Sequence, residues 1–166
     1  MMNIRNVAEK DLPDVVDIQI AGWRTAYRGI IDDEILDTLN REERLARRQK
    51  DWRDTGFIVA EKDGEVVGFC RYIDNNSYSS DYDVDCELMA IYLRPDVKRQ
   101  GIGCKLFNYV TDEFRRQGKK KMILWCLKDN QASRRFYEAM GGTLGGEKTF
   151  ETGGKTFPEI AYLYDL

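Results

Sequence analysis

The chain has 166 residues, 42% of them hydrophobic and 33% charged, and a formal net charge of −3. That length builds one well-buried core rather than two ordinary domains, so residues 1–166 are read as a single domain. The acidic balance argues against a general nucleic-acid binder, and the lack of any apolar run near about 18 residues argues against a membrane partner. The N-terminal stretch MMNIRNVAEKDLPDVV has no apolar signal core, and a cytoplasmic location is expected. Cys70, Cys86, Cys104 and Cys126 stand far apart with no C-x-x-C pair, as reduced and mostly buried thiols do. The sequence contains no histidine, which removes His-based catalytic triads and His-ligated metal sites. No metal is expected, and acid–base work falls to Glu, Asp, Tyr, Lys, Cys or water.

In chain order, NIRNV reads as a short first strand. An amphipathic helix follows from Asp11 to about Ala26, with Leu12, Val15, Val16, Gln19, Ile20 and Trp23 near one face. A second helical pattern runs from Asp32 to about Trp52 and is interrupted near Asn40. FIVAEKDGEVVGFCRYI is a hairpin, because Asp63-Gly64 supplies the positive φ of a tight turn. DNNSYSSDYDVD is a polar loop, and Glu87 to Leu93 is a strand. A helix is expected from about Ile102 to Gln117, with Leu106, Phe107, Val110 and Phe114 at helical spacing and Gly118 ending it. KKMILWCLK is a buried strand, and NQASRRFYEAMGG a short helix capped by Asn130 or Asp129. Two strands close the chain, about Gly142 to Thr149 and Lys155 to Tyr164, separated by Gly153-Gly154.

The junction after Leu93 carries the strongest chemical signal. A strand ends at Arg94-Pro95, a loop brings Lys98 and Arg99, and Gly101-Ile102-Gly103 opens a helix. Glycines let a ligand approach the backbone, the first-turn N–H groups lack partners, and the helix dipole favours negative charge. A phosphate or pyrophosphate suits this cradle, and Arg94, Lys98, Arg99 and Lys105 outnumber Asp96 around it. The Walker pattern fails because no Gly-Lys-Ser or Gly-Lys-Thr follows, and the dinucleotide pattern fails because Leu106 stands at its third glycine.

The six residues Lys98-Arg99-Gln100-Gly101-Ile102-Gly103 resemble the acyl-CoA loop of the GCN5-related N-acetyltransferases: Gln or Arg, two variable residues, Gly, a variable residue, then Gly or Ala. Lys98 departs from the preferred first residue. ELMAIYLRP resembles the family's fourth strand, and NQASRRFYEAMG its next motif, although Gly142 stands where the family often has Phe. The resemblance implies an α/β (α+β) fold: a mixed, strongly twisted seven-stranded sheet flanked by about four helices, with the fourth and fifth strands splayed. It implies direct acetyl transfer from acetyl-CoA to a primary amine in a ternary complex. The acceptor amine is expected on a small molecule first, with a peptide or protein amine as the other choice. A catalytically silent acyl-CoA-binding module on the same fold is the alternative, and oligomeric state stays open, a homodimer included.

The same resemblance assigns residues. Pantetheine lies along the fourth strand at Ile91, Tyr92 and Leu93; the pyrophosphate meets Lys98, Arg99, Gln100, Gly101, Ile102, Gly103 and Cys104; Asn130, Ser133 and Tyr137 complete the cofactor contacts. An alkyl ammonium with a pKa of about 10.4 must lose a proton before it attacks a thioester, so a base is needed. Glu87 resembles the family's general base and Tyr137 its general acid. Read from the residues alone, Glu87 is also a strand-edge ion-pair partner and Tyr137 a core aromatic. Alternation places Glu87 on the face of Met89 and Ile91, unless a bulge near Ala90 reverses that relation. Trp23, Tyr27 and Arg28 are the expected acceptor-lining residues, and Asp74, Asp81, Asp83 and Asp85 an acidic loop able to attract a cationic amine.

Overall fold

Strands β1 (Met2–Asn6), β2 (Gly56–Lys62), β3 (Glu65–Ile73), β4 (Cys86–Leu93), β5 (Lys121–Leu127), β6 (Thr143–Thr152) and β7 (Lys155–Asp165) form one sheet, in a computed structural model that describes all 166 residues. The sheet order is β1-β2-β3-β4-β5-β7-β6, antiparallel throughout except for the parallel pair β4–β5. Five helices accompany it: α1 (Leu12–Ala26), α2 (Asp33–Asp37), α3 (Arg41–Asp51), α4 (Ile102–Arg116) and α5 (Gln131–Ala139). The fifth arises because the pattern expected from Asp32 to Trp52 is two helices. Asn40 caps α3, its side chain accepting from Glu43 N–H at 3.0 Å, which closes one helix and starts another. No helix is long and apolar enough to cross a membrane.

Turn chemistry fixes the hairpins. Asp63 and Gly64 hold φ values of 53° and 83° between β2 and β3, and Gly153 and Gly154 hold 58° and 78° between β6 and β7. One sheet face packs on α4, whose Leu106, Phe107, Val110 and Phe114 are buried against Ile58, Cys70, Leu88 and Leu124. Each such side chain contributes about 1.5–3 kcal/mol of burial. The other face packs on α1, where Val15 and Ile18 meet Phe57, Val59 and Phe69.

Two irregularities shape the centre of the sheet. Opposite β4, Arg71 pairs with Ala90 but Tyr72 pairs with Leu88, so Met89 is bulged out of the ladder. Cys86 and Leu88 therefore share the α4 side with Ile91 and Leu93, while Ala90 and Tyr92 face α1. Glu87 is thus on the face of Ala90 and Tyr92, not that of Ile91. The second irregularity is the β4–β5 seam. Only Cys86, Glu87 and Leu88 pair with Met122, Ile123 and Leu124, and beyond them the strands part.

Candidate active site

The parting of β4 from β5 opens a cavity of about 570 Å³ that runs from the start of α4 to Trp125. At one end Gly101, with φ 81°, caps α4 and no side chain caps it, so the first-turn N–H groups are free for an anion. Arg99 is also left-handed, with φ 64°, and its side chain and that of Lys98 enter the cavity wall with Gly101, Gly103 and Cys104. Two residues expected at the cradle contribute otherwise. Gln100 is held outside the wall by Lys62 Nζ at 2.8 Å, and the Ile102 side chain is core, leaving only its backbone N–H for a ligand. Arg94 faces Asp96 at 2.6 Å and Glu65 at 3.2 Å, which cancels its share of the positive field.

Along the middle, Ile91, Tyr92 and Leu93 line the cavity from β4, whose edge has no strand on the β5 side after Leu88. An amide-bearing chain laid there meets backbone groups that the seam leaves unpaired. From the β5 side come Trp125 and Cys126, and from α5 Asn130, Ser133 and Tyr137. Asn130 caps α5: its Oδ1 accepts from Ser133 N–H at 3.3 Å and its Nδ2 donates to Ser133 Oγ at 2.9 Å. The Tyr137 carbonyl accepts from Gly142 N–H at 3.0 Å and Tyr164 hydroxyl at 2.8 Å, which fixes the helix end. Its own hydroxyl has no partner in the chain. Burial pushes that phenol well above its ordinary pKa, with Cys126 and Tyr92 adding to the effect, so it stays protonated.

Glu87 is 7% exposed and lies behind the wall rather than in it. Its Oε1 accepts from Ser79 Oγ at 2.6 Å, and Ser79 Oγ accepts in turn from Trp125 Nε1 at 3.1 Å. Burial raises the Glu87 carboxyl above the usual glutamate range, against the Ser79 hydrogen bond and the charge of Lys148. Lys148 Nζ stands 4.3 Å from the Trp125 ring centre and 3.6 Å from Glu159, a half-buried carboxylate also raised by burial.

Residues 23–142 match the sequence model of the Acetyltransferase (GNAT) family. The chain belongs to that family. It is therefore an acetyltransferase of the class that draws its acetyl group from acetyl-CoA. It is 29% identical to the N-acetyltransferase YuaI of Bacillus subtilis, over 96% of this chain and 91% of that protein. It is 31% identical to the L-methionine sulfoximine/L-methionine sulfone acetyltransferase of Salmonella typhimurium, over 86% of this chain and 81% of that one. Its fold superimposes on the PaiA N-acetyltransferase of Thermoplasma acidophilum, solved with coenzyme A. The TM-score is 0.73 at 23% identity, covering 99% of each chain.

The acceptor side of this acetyltransferase differs from the expected one. Tyr27 lines the cavity, its hydroxyl 3.4 Å from that of Tyr92. Trp23 does not line it: the indole is buried, donates to the Tyr92 hydroxyl at 2.9 Å and packs edge-on against Tyr27 and Phe150. Arg28 is on the surface, tied to Asp37 at 2.5 Å and Asp33 at 3.2 Å. Of the acidic loop, Asp85 is structural, accepting from Lys120 and Lys121 N–H at 2.7 and 3.0 Å. Ser79, Trp125, Lys148 and Glu159 went unremarked in the sequence. For the last two a signal existed: a two-residue Gly153-Gly154 turn pairs Thr152 with Lys155, and counting back sets Lys148 opposite Glu159.

Proposed function

We propose that the protein transfers the acetyl group of acetyl-CoA directly to a primary amine on a small molecule, with both substrates bound at once. The observation that carries this reading is one cavity that joins an anion-binding helix start to an unpartnered tyrosine hydroxyl. Lys98, Arg99 and the N–H groups of Ile102, Gly103 and Cys104 take the pyrophosphate. The free edge of β4 at Ile91–Leu93 takes the pantetheine amides, with Asn130 and Ser133 facing them. Glu87 removes the ammonium proton through water, since it sits one layer behind the wall. The amine nitrogen bonds to the acetyl carbon as the carbon–sulfur bond breaks, Tyr137 donates its proton to the departing thiolate, and the second proton shed by the nitrogen restores the tyrosine hydroxyl through water. The small-molecule acceptor is favoured by the relative that acts on L-methionine sulfone.

The first test is thermal unfolding with acetyl-CoA, with ATP and NAD as controls. At about 100 times its Kd a ligand stabilises the folded state by roughly 2.7 kcal/mol, which moves Tm by about 5–11 °C in a chain of this size. A rise with acetyl-CoA alone, followed by turnover on an amine panel that Y137F slows about tenfold or more, is the expected result. Acetyl-CoA binding with no turnover on any amine identifies a silent binding module instead, and no shift at all removes the acetyltransferase mechanism.

A further inference from the structure

Three arginines stand on the α1 side of the sheet, and one of them alone has a carboxylate. Arg44 and Arg48 lie one turn apart on the inner side of α3, and Arg71 lies on β3. Arg44 packs its guanidinium 4.7 Å from the Trp23 ring centre, and Arg71 packs 5.6 Å from that of Phe57. Arg48, its side chain 11% exposed, reaches Asp51 at 3.2 Å. Arg44 and Arg71 form no ion pair, and Arg71 Nε is buried without a hydrogen-bond partner. Burial pulls all three below the ordinary arginine pKa, Arg71 to about 10, and the neighbouring charge of Arg48 adds to the effect on Arg71. Three half-buried guanidiniums that share Asp51 as their one ion-pair partner, with an orphaned donor among them, mark a place that a further anion completes.

Register says where that place is. Arg71 pairs with Ala90, which lines the cavity; like Glu87, the three arginines stand beside that wall rather than in it. Because Met89 is bulged out, Glu87 and Ala90 are successive residues on one face of β4, so Arg71 and Glu87 stand on the same face of neighbouring strands. They do not pair with each other: Glu87 is bound by Ser79. A cation and a carboxylate held apart on one face suit a ligand with the opposite two charges. Lys148 is no rival for the anion, because Glu159 already meets its charge.

We propose that the acceptor is an amino acid with a free carboxylate, held through that carboxylate by Arg71 with Arg48 beside it, while its amine faces Glu87. This rests on the acetyltransferase reading and adds to it a substrate class. The test is acetyl transfer from acetyl-CoA to the proteinogenic L-amino acids and to amines lacking their carboxyl group, such as phenethylamine against L-phenylalanine and isoamylamine against L-leucine. The carboxylate-bearing partner is expected to have the higher kcat/KM. R71M should lower that preference about tenfold or more, through KM rather than kcat, as loss of a charge-assisted hydrogen bond does. R71K, which keeps the charge but not the planar fork, should fall between. A retained acetyl-CoA shift in Tm shows that both variants fold. Amines acetylated as well as their amino-acid partners, a preference that R71M leaves intact, or no amino acid acetylated at all would each overturn the proposal. Failure of the underlying mechanism looks different: acetyl-CoA then gives no Tm shift, or gives one while no amine of either kind, with or without a carboxyl group, is acetylated.

Discussion

Burial gives Glu87 two properties that oppose each other. A carboxyl raised above its unfolded pKa binds more protons in the folded chain, so its contribution to stability is greatest below the unfolded value and is lost as pH rises through the folded one. At neutral pH the ionised group is therefore a local destabiliser, and the same raised pKa suits it to take a proton. E87Q keeps an oxygen for Ser79 and removes the charge. It should unfold at a higher temperature than the wild type at about pH 8, with the gap closing toward the ordinary glutamate pKa of about 4.3. Turnover should fall by about 10²- to 10⁴-fold in the same variant. A lower Tm at pH 8 would mean that Lys148 and Ser79 outweigh the burial of Glu87. Lys148 holds the Glu87 pKa down, so K148M should move the acid limb of the kcat/KM profile to higher pH; an unmoved limb would remove Glu87 from the proton path.

At the scale of elements, the start of α4 is the part most open to a local test. Gly101 is left-handed and a Cβ there would meet nothing within 4 Å, so G101A isolates backbone strain from packing. It should cost about 1 kcal/mol and shrink the Tm shift given by acetyl-CoA, because the same backbone angles aim the first-turn N–H groups. Elements of this kind were legible in the sequence because their causes are local. Asp63-Gly64 sets a hairpin, four apolar residues at helical spacing set α4, and Asn130 caps α5. What was not legible depends on strands that meet across the chain. The bulge that the family resemblance left open near Ala90 is decided only in the β3–β4 ladder, where it falls at Met89, and the side chain of Glu87 turns on it. Arg28 and Trp23 were placed at the site by sequence position, but the path of the chain into α2 sends one to solvent and the other into the core.

Across the whole molecule the four cysteines divide three to one. Cys70, Cys86 and Cys126 are buried and their thiols are pushed up, Cys86 to about 12 and Cys126 to about 11, whereas Cys104 is exposed in the cavity wall. A native thiol titration should therefore find one fast-reacting group per chain, and acetyl-CoA should slow it; several fast groups, or one indifferent to acetyl-CoA, would contradict the wall described for Cys104. The seam between β4 and β5 has a further consequence at this scale. Three residue pairs form the spine of an open book. One cover, β1 to β4, holds Glu87, the proposed base, and leads into the loop proposed for the pyrophosphate; the other, β5 to β7, leads into α5 with Tyr137, the proposed proton donor, and carries Lys148 and Glu159. The angle between the covers sets how far Glu87 and Tyr137 stand apart. Repacking Leu88 against Leu124 at the spine thus becomes a tuning screw for the reaction, turned without touching a single reacting group.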